Sequence, residues 1–108
     1  MPLDLPAPIA EYFAAEQARD ALALARCFVD DGVVLDEGGT FRGPTAIRDW
    51  NAAAREKYHH TVIPLSVVDR DGTTVVAGTI AGDFPGSPIT LEHVFRVAGH
   101  KIVSLEIR

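Results

Sequence analysis

The feature that most constrains this chain is a change of hydrophobic period near its middle. Up to Tyr58 the apolar residues recur at the three- and four-residue spacing of helices, and from Thr61 onward they alternate. Thr61 to Val68, Thr73 to Ala81, Ile89 to Val97 and Ile102 to Ile107 read as strands, with Asp71-Gly72 a hairpin turn between the first two. In the third run Ile89, Leu91, His93, Phe95 and Val97 share one face, and Thr90, Glu92, Val94 and Arg96 the other. His93 therefore points toward the apolar side. Gly82-Asp83-Phe84-Pro85-Gly86-Ser87-Pro88 holds too much Gly and Pro for ladder pairing and is expected to form a loop at the sheet's end.

The first half reads as three helices and a short hairpin. Ile9, Tyr12, Phe13 and Glu16 recur at helical spacing, which predicts a helix over about Pro8 to Ala18. Asp20 suits the N-cap of a second helix, Ala21 to Phe28, ended by Val29-Asp30-Asp31-Gly32. Val33-Val34-Leu35 leads through the turn Asp36-Glu37-Gly38-Gly39 into Thr40-Phe41-Arg42, a short hairpin. Gly43-Pro44 opens a third helix whose buried stripe is Ile47, Trp50, Asn51, Ala54 and Tyr58, with Trp50 at its centre and Arg48, Asp49, Arg55 and Glu56 elsewhere.

Three helices followed by a meandering sheet predict an α+β fold. The three N-terminal helices are expected to pack on the concave face of a curved, mostly antiparallel sheet, with a pocket between the layers. A length of 108 residues fits one domain spanning 1–108. The outward sheet face is expected to carry Val94 and Ile102 among Thr90, Glu92, Arg96, Ser104 and Glu106, a mixed surface suited to a homodimer packed through the sheet.

Charge narrows the partners. Ten basic against fifteen acidic residues give a net charge of −5, and no Lys/Arg cluster offers a phosphate-tracking surface, so no nucleic-acid partner is expected. The apolar stretches are only a few residues long, and Met1-Pro2-Leu3-Asp4 is neither basic nor hydrophobic, so neither a membrane span nor a signal peptide is expected. The single Cys27 has no partner for an internal disulfide and suits a cytoplasmic protein.

Few residues could carry chemistry in such a pocket. Asp36 shares the parity of the apolar Val34, where a carboxylate near apolar walls resists ionisation and becomes a better base, although an Asp there could simply open the turn. Tyr12 lies on the inward stripe of the first helix, so its hydroxyl bonds a backbone carbonyl in the core or reaches a ligand. His93 is in the same position, a satisfied core residue or a hydrogen-bond donor to a ligand. Phe28, Trp50, Tyr58, Phe84 and Phe95 are the aromatic residues available to line the pocket. His59-His60 lacks the surrounding ligands of a metal site, and Cys27 reads as core filler. Neither a Gly-rich phosphate loop nor a Gly-x-Ser-x-Gly elbow occurs, so no cofactor is implied.

The run Phe28-Val29-Asp30-Asp31-Gly32-Val33-Val34-Leu35-Asp36, followed by Phe41-Arg42-Gly43-Pro44-Thr45-Ala46-Ile47-Arg48-Asp49-Trp50, resembles the SnoaL-like branch of the nuclear transport factor 2-like superfamily. The Phe95 to Ile107 segment, with Lys101-Ile102-Val103-Ser104-Leu105, resembles its last hairpin. The resemblance implies a cone-shaped α+β barrel whose pocket hosts isomerases, cyclases, dehydratases, epoxide hydrolases and non-enzymatic modules, so it implies the architecture before the activity. By comparison with ketosteroid isomerase within the superfamily, the general-base Asp falls on Asp36 and the oxyanion-hole Tyr on Tyr12. The protonated carboxylic acid of a late strand falls on His93, a departure that replaces one proton donor by another. The resemblance thus implies cofactor-free acid/base isomerisation or cyclisation of a small apolar carbonyl compound, ketosteroid isomerase-like or polyketide cyclase-like. The alternative is a non-catalytic ligand-binding or dimerisation module.

Overall fold

The computed structural model describes residues 3–108, so Met1 and Pro2 of the Met1-Pro2-Leu3-Asp4 segment lie outside the described residues. The chain runs as α1 (Ala7–Gln17), α2 (Ala21–Ala25), β1 (Phe28–Asp36), β2 (Gly39–Arg42), α3 (Pro44–Tyr58), β3 (Thr61–Arg70), β4 (Thr73–Ala81), β5 (Ile89–Ala98) and β6 (Lys101–Ile107). Local chemistry accounts for several of these boundaries. Pro8 sits in the first turn of α1, where its missing N–H costs nothing. The Asp20 carboxylate accepts from the Ala23 N–H at 3.0 Å and caps α2. His59 takes a left-handed conformation (φ 49°, ψ 41°) and closes α3 with its N–H on the Arg55 carbonyl.

The six strands form one sheet in the order β2-β1-β6-β5-β4-β3. β3 to β6 make the antiparallel meander that the alternation predicts, and β1 joins it in parallel beside β6. The β1–β2 and β3–β4 turns place consecutive residues at positive φ, Glu37 (51°) with Gly38 (78°) and Asp71 (52°) with Gly72 (80°), the geometry that matches the twist of the flanking strands. Three helices pack on this curved, open, mostly antiparallel sheet. The core between the layers is one apolar cluster, with Ile9, Leu24, Val34, Ile47, Phe95 and Leu105 at its heart.

Three expectations are corrected. α2 stops at Ala25, and the Asp30-Asp31-Gly32 segment expected to be a turn lies inside β1. Backbone pairing overrides the local signal: the Ile102 N–H donates to the Cys27 carbonyl at 2.8 Å, and the β1–β6 register shifts between Phe28 and Val33. Gly32 makes that irregularity possible, since a Cβ there would come within 3.0 Å of the Phe28 Cβ and the Val29 carbonyl. Ile102, expected on the outward face, is fully buried. Val97 pairs with Ile102 while Arg96 pairs with Ser104, so β6 carries an extra residue, and a one-residue bulge exchanges the faces of everything beyond it. Finally, the stripe of α3 is displaced: Arg55 is buried, while Trp50 at its supposed centre is only half-buried.

Candidate functional site

A cavity of about 170 Å³ opens between the helices and the inner face of the sheet. Its lining comes from α1 (Tyr12, Glu16), the end of β1 and its turn (Asp36, Glu37) and α3 with the residue after its cap (Trp50, Asn51, Ala54, Tyr58, His60). The sheet side supplies Val62, Ile80, Ile89, Leu91, His93 and Ile107, and the β4–β5 loop supplies Phe84. Asp36, Tyr12 and His93 therefore border one cavity, as do Trp50, Tyr58 and Phe84. Phe28 and Phe95 do not. Both are buried in the apolar core behind Tyr12, their ring centroids 6.2 Å and 5.4 Å from its ring in edge-on contacts. Both are aromatic residues expected to line the pocket, but the layer they occupy is already filled by Tyr12 and Phe13.

Asp36 ends β1 on the face of the buried Val34, and its Oδ2 accepts a hydrogen bond from the Trp50 indole N–H at 3.0 Å. This bond explains why Trp50 is not a core residue. It reaches over the cavity from α3 to hold a carboxylate, tilted against Phe41 at 6.1 Å. Burial raises the Asp36 carboxyl above its ordinary value; the Trp50 bond opposes that rise and the neighbouring Glu37 charge adds to it. Tyr12 is pushed well above the ordinary phenol value, first by burial and then by the charges of Glu16 and Asp36, so its hydroxyl stays a neutral donor. His93 is 1% exposed, stacked at 6.5 Å with Phe95 and edge-on to Phe13 at 5.6 Å. Burial lowers its imidazole toward the neutral form. Gly78 on β4 makes room for that ring, because a Cβ there would stand 3.0 Å from the His93 Cε1.

A second polar group in the same cavity was not predicted. Glu16, 6% exposed, accepts from the Asn51 Nδ2 at 2.9 Å on Oε2 and from the Arg55 Nη2 at 3.3 Å on Oε1. The His60 Nε2 lies 3.3 Å from the same Oε1. Arg55 Nη2 also donates to the Asn51 Oδ1 at 2.7 Å. Burial acts to raise the Glu16 carboxyl, but the bond and charge of His60, the Arg55 charge and the Asn51 bond outweigh it, and the group sits below its ordinary value. Two signals in the sequence could have found this group: Glu16 follows Tyr12 by one helical turn, and Arg55 follows Asn51 by one. His59 and His60 part company as their adjacency suggests, His59 pairing with Asp83 at 3.0 Å on the surface while His60 turns inward.

The mouth is framed by the β1–β2 turn, the end of α3 and the β4–β5 loop. The Tyr58 hydroxyl donates to the Glu37 Oε1 at 3.3 Å, and Phe84 meets the Tyr58 ring edge-on at 5.8 Å. Gly82 lets the loop approach this closely: a Cβ there would come within 2.6 Å of the Tyr58 carbonyl oxygen and 2.9 Å of the His60 Cα. No described helix is long and apolar enough to cross a membrane.

Comparison with known proteins places this geometry. The sequence profile of the SnoaL-like domain matches residues 9–105. Among solved structures, a candidate polyketide cyclase from Sinorhizobium meliloti is 36% identical, with a TM-score of 0.92 over 97% of this chain and 96% of that one. A Catenulispora acidiphila protein of ketosteroid isomerase-like fold, solved in complex with trimethylamine, is 21% identical with a TM-score of 0.82, covering 95% of this chain and 85% of that one. An NTF2-like protein from Cytophaga hutchinsonii is 11% identical with a TM-score of 0.78 over 100% of this chain and 91% of that one. These last two share the fold. No curated protein matches the chain.

Proposed function

The chain belongs to the SnoaL-like domain family, and from that premise we propose that its cavity performs cofactor-free acid/base chemistry, isomerisation or cyclisation, on a small apolar carbonyl compound. The observation that carries this reading is the convergence of Asp36, Tyr12 and His93 on one cavity from three separate elements. Asp36, its Oδ2 engaged by Trp50, offers Oδ1 to take a proton from the carbon beside a carbonyl. The electron pair released moves onto the carbonyl oxygen, where the Tyr12 hydroxyl and a His93 N–H stabilise the enolate by hydrogen bonds. The protonated Asp36 then returns the proton to carbon. Both donors are buried and neutral, so they strengthen as charge develops without adding a charge of their own. Trp50, Tyr58 and Phe84 supply the aromatic walls. The Sinorhizobium meliloti relative supports the cyclase form of this reading.

The test is deuterium uptake into the methyl group of acetophenone in D₂O, followed by NMR. The wild type should accelerate exchange, and Asp36→Asn, which keeps the shape and removes the basicity, should lose the acceleration while staying folded. Exchange equal in the two proteins would sink Asp36 as the base.

The outward sheet face supports a homodimer as the working form. Val68, Val75, Val94, Glu106 and Leu35 are successive cross-strand partners across β3, β4, β5, β6 and β1, an almost continuous apolar row. Sedimentation at micromolar concentration should find two copies per particle, and Val94→Asp should shift it to one. A monomeric wild type would overturn this assembly.

A further inference from the structure

Resting on the reading of the cavity as a ligand site, a second carboxylate within it remains without a role. Glu16 borders the cavity, is more than nine-tenths buried and is held in its ionised form by Asn51, Arg55 and His60. Burying a carboxylate costs several kcal/mol before pairing, and an apolar residue would fill the same space more cheaply if packing were its only purpose. An ionised carboxylate accepts about four hydrogen bonds. Oε1 receives two polar partners, Arg55 and His60, and Oε2 receives one, Asn51, which leaves an acceptor position on Oε2.

The chemistry of that position selects its occupant. The Arg55 guanidinium already balances the Glu16 charge, so the pair is net neutral and suits an uncharged donor better than an ammonium group. Tyr12, the proposed donor to the carbonyl, stands one helical turn before Glu16 on the same face of α1. A single small ligand can therefore present a carbonyl oxygen to Tyr12 and a donor group to Glu16. We propose that Glu16 Oε2 is a hydroxyl-binding subsite, and that the ligand of this cavity is a hydroxylated carbonyl compound whose hydroxyl donates to Glu16 while its carbonyl faces Tyr12.

The single tryptophan of the chain, Trp50, lines the cavity, so its fluorescence reports binding directly. Three probes isolate the hydroxyl: 3-hydroxyacetophenone, acetophenone, and 3-methoxyacetophenone, which keeps the oxygen and lacks the donor. The wild type should bind the hydroxyl compound about tenfold more tightly than either of the others, the ratio expected for a hydrogen bond to a buried charged acceptor. Glu16→Gln should reduce that ratio to below about threefold, and Asp36→Asn should leave it in place. Equal wild-type affinities would overturn the subsite without recourse to a variant, as would failure of all three probes to bind. A ratio that survives Glu16→Gln, or vanishes in Asp36→Asn, would place the hydroxyl elsewhere and overturn it as well. Tighter binding of 3-(aminomethyl)acetophenone than of the hydroxyl compound would show an unbalanced negative charge and overturn the choice of ligand class. Loss of deuterium exchange with the hydroxyl preference intact would instead count against the acid/base reaction and leave the subsite standing.

Discussion

Asp36 and Glu16 line opposite walls of the cavity, and the protein treats these two carboxylates in opposite ways. Asp36, at the end of β1, has one side-chain donor, the Trp50 indole, and burial raises it. Glu16, on α1, has three polar partners and lies below its ordinary value although it is the more deeply buried of the two. The difference teaches that burial alone does not decide whether a carboxylate is basic; the number and charge of its donors do. A carboxylate with three partners is a poor base and a good fixed acceptor. One held by the neutral Trp50 indole and the Glu37 backbone, with the Glu37 charge beside it, gains proton affinity, which is what proton abstraction from carbon requires.

The largest way to break this contrast is to remove Glu16. Glu16→Ala strands the Arg55 guanidinium in the interior without its counter-charge, and a buried pair broken on one side costs about 3–5 kcal/mol. Urea unfolding should show a loss of that size, with Asp36→Asn within about 1 kcal/mol of wild type because Asn still accepts from Trp50. A Glu16→Ala loss below about 1 kcal/mol would mean that the three partners are satisfied by water, and the two walls would then be alike.

The contrast also fixes opposite slopes of stability against pH. The Glu16 carboxyl is lowered in the fold from an ordinary value of 4.5, so its contribution is present above that value and is lost as pH falls through the folded one. Asp36 is raised from 3.8, so its contribution is present below that value and is lost as pH rises through the folded one. Thermal melts from pH 3 to pH 7 should therefore show Glu16→Gln flattening the acid limb. Asp36→Asn should gain relative to wild type as pH rises from about 4, the ordinary range of an aspartate. Parallel profiles for the two variants would erase the distinction.

What the sequence made legible follows from the range over which each signal acts. Alternation and the Asp71-Gly72 turn located the four later strands, and helical spacing located α1 and α3, because these patterns are local and repeated. The bulge that turns Ile102 inward depends on which strands pair, and the strand conformation of Asp30-Asp31-Gly32 depends on β6, some seventy residues away. The site divides along the same line. Tyr12, Asp36 and His93 each sit in a local pattern that declares an inward face. Arg55 stands one turn beyond Asn51, but a charged residue beside an apolar stripe reads as solvated until Glu16 of another helix is brought to it, and His60 sits in no such pattern. Phe28 and Phe95 show the converse error: their aromatic character suits the layer between helices and sheet, and no local pattern could tell that the layer was closed.

The smallest effects sharpen the comparison at Asp36 itself. If its proton affinity reflects the balance described, its neighbours should move it in opposite directions. Trp50→Phe deletes the hydrogen bond that holds the carboxyl down, so the midpoint of Asp36, read from its carboxyl ¹³C shift, should rise. Glu37→Gln deletes the adjacent negative charge that pushes it up, so the midpoint should fall, and by less than Trp50→Phe raises it, because the Glu37 side chain lies nearer solvent and is screened. Glu16→Gln, on the opposite wall, should leave Asp36 closer to its wild-type midpoint than either change. A fall with Trp50→Phe would show that the indole favours the protonated acid, and Asp36 would then serve the cavity as a proton donor rather than as its base.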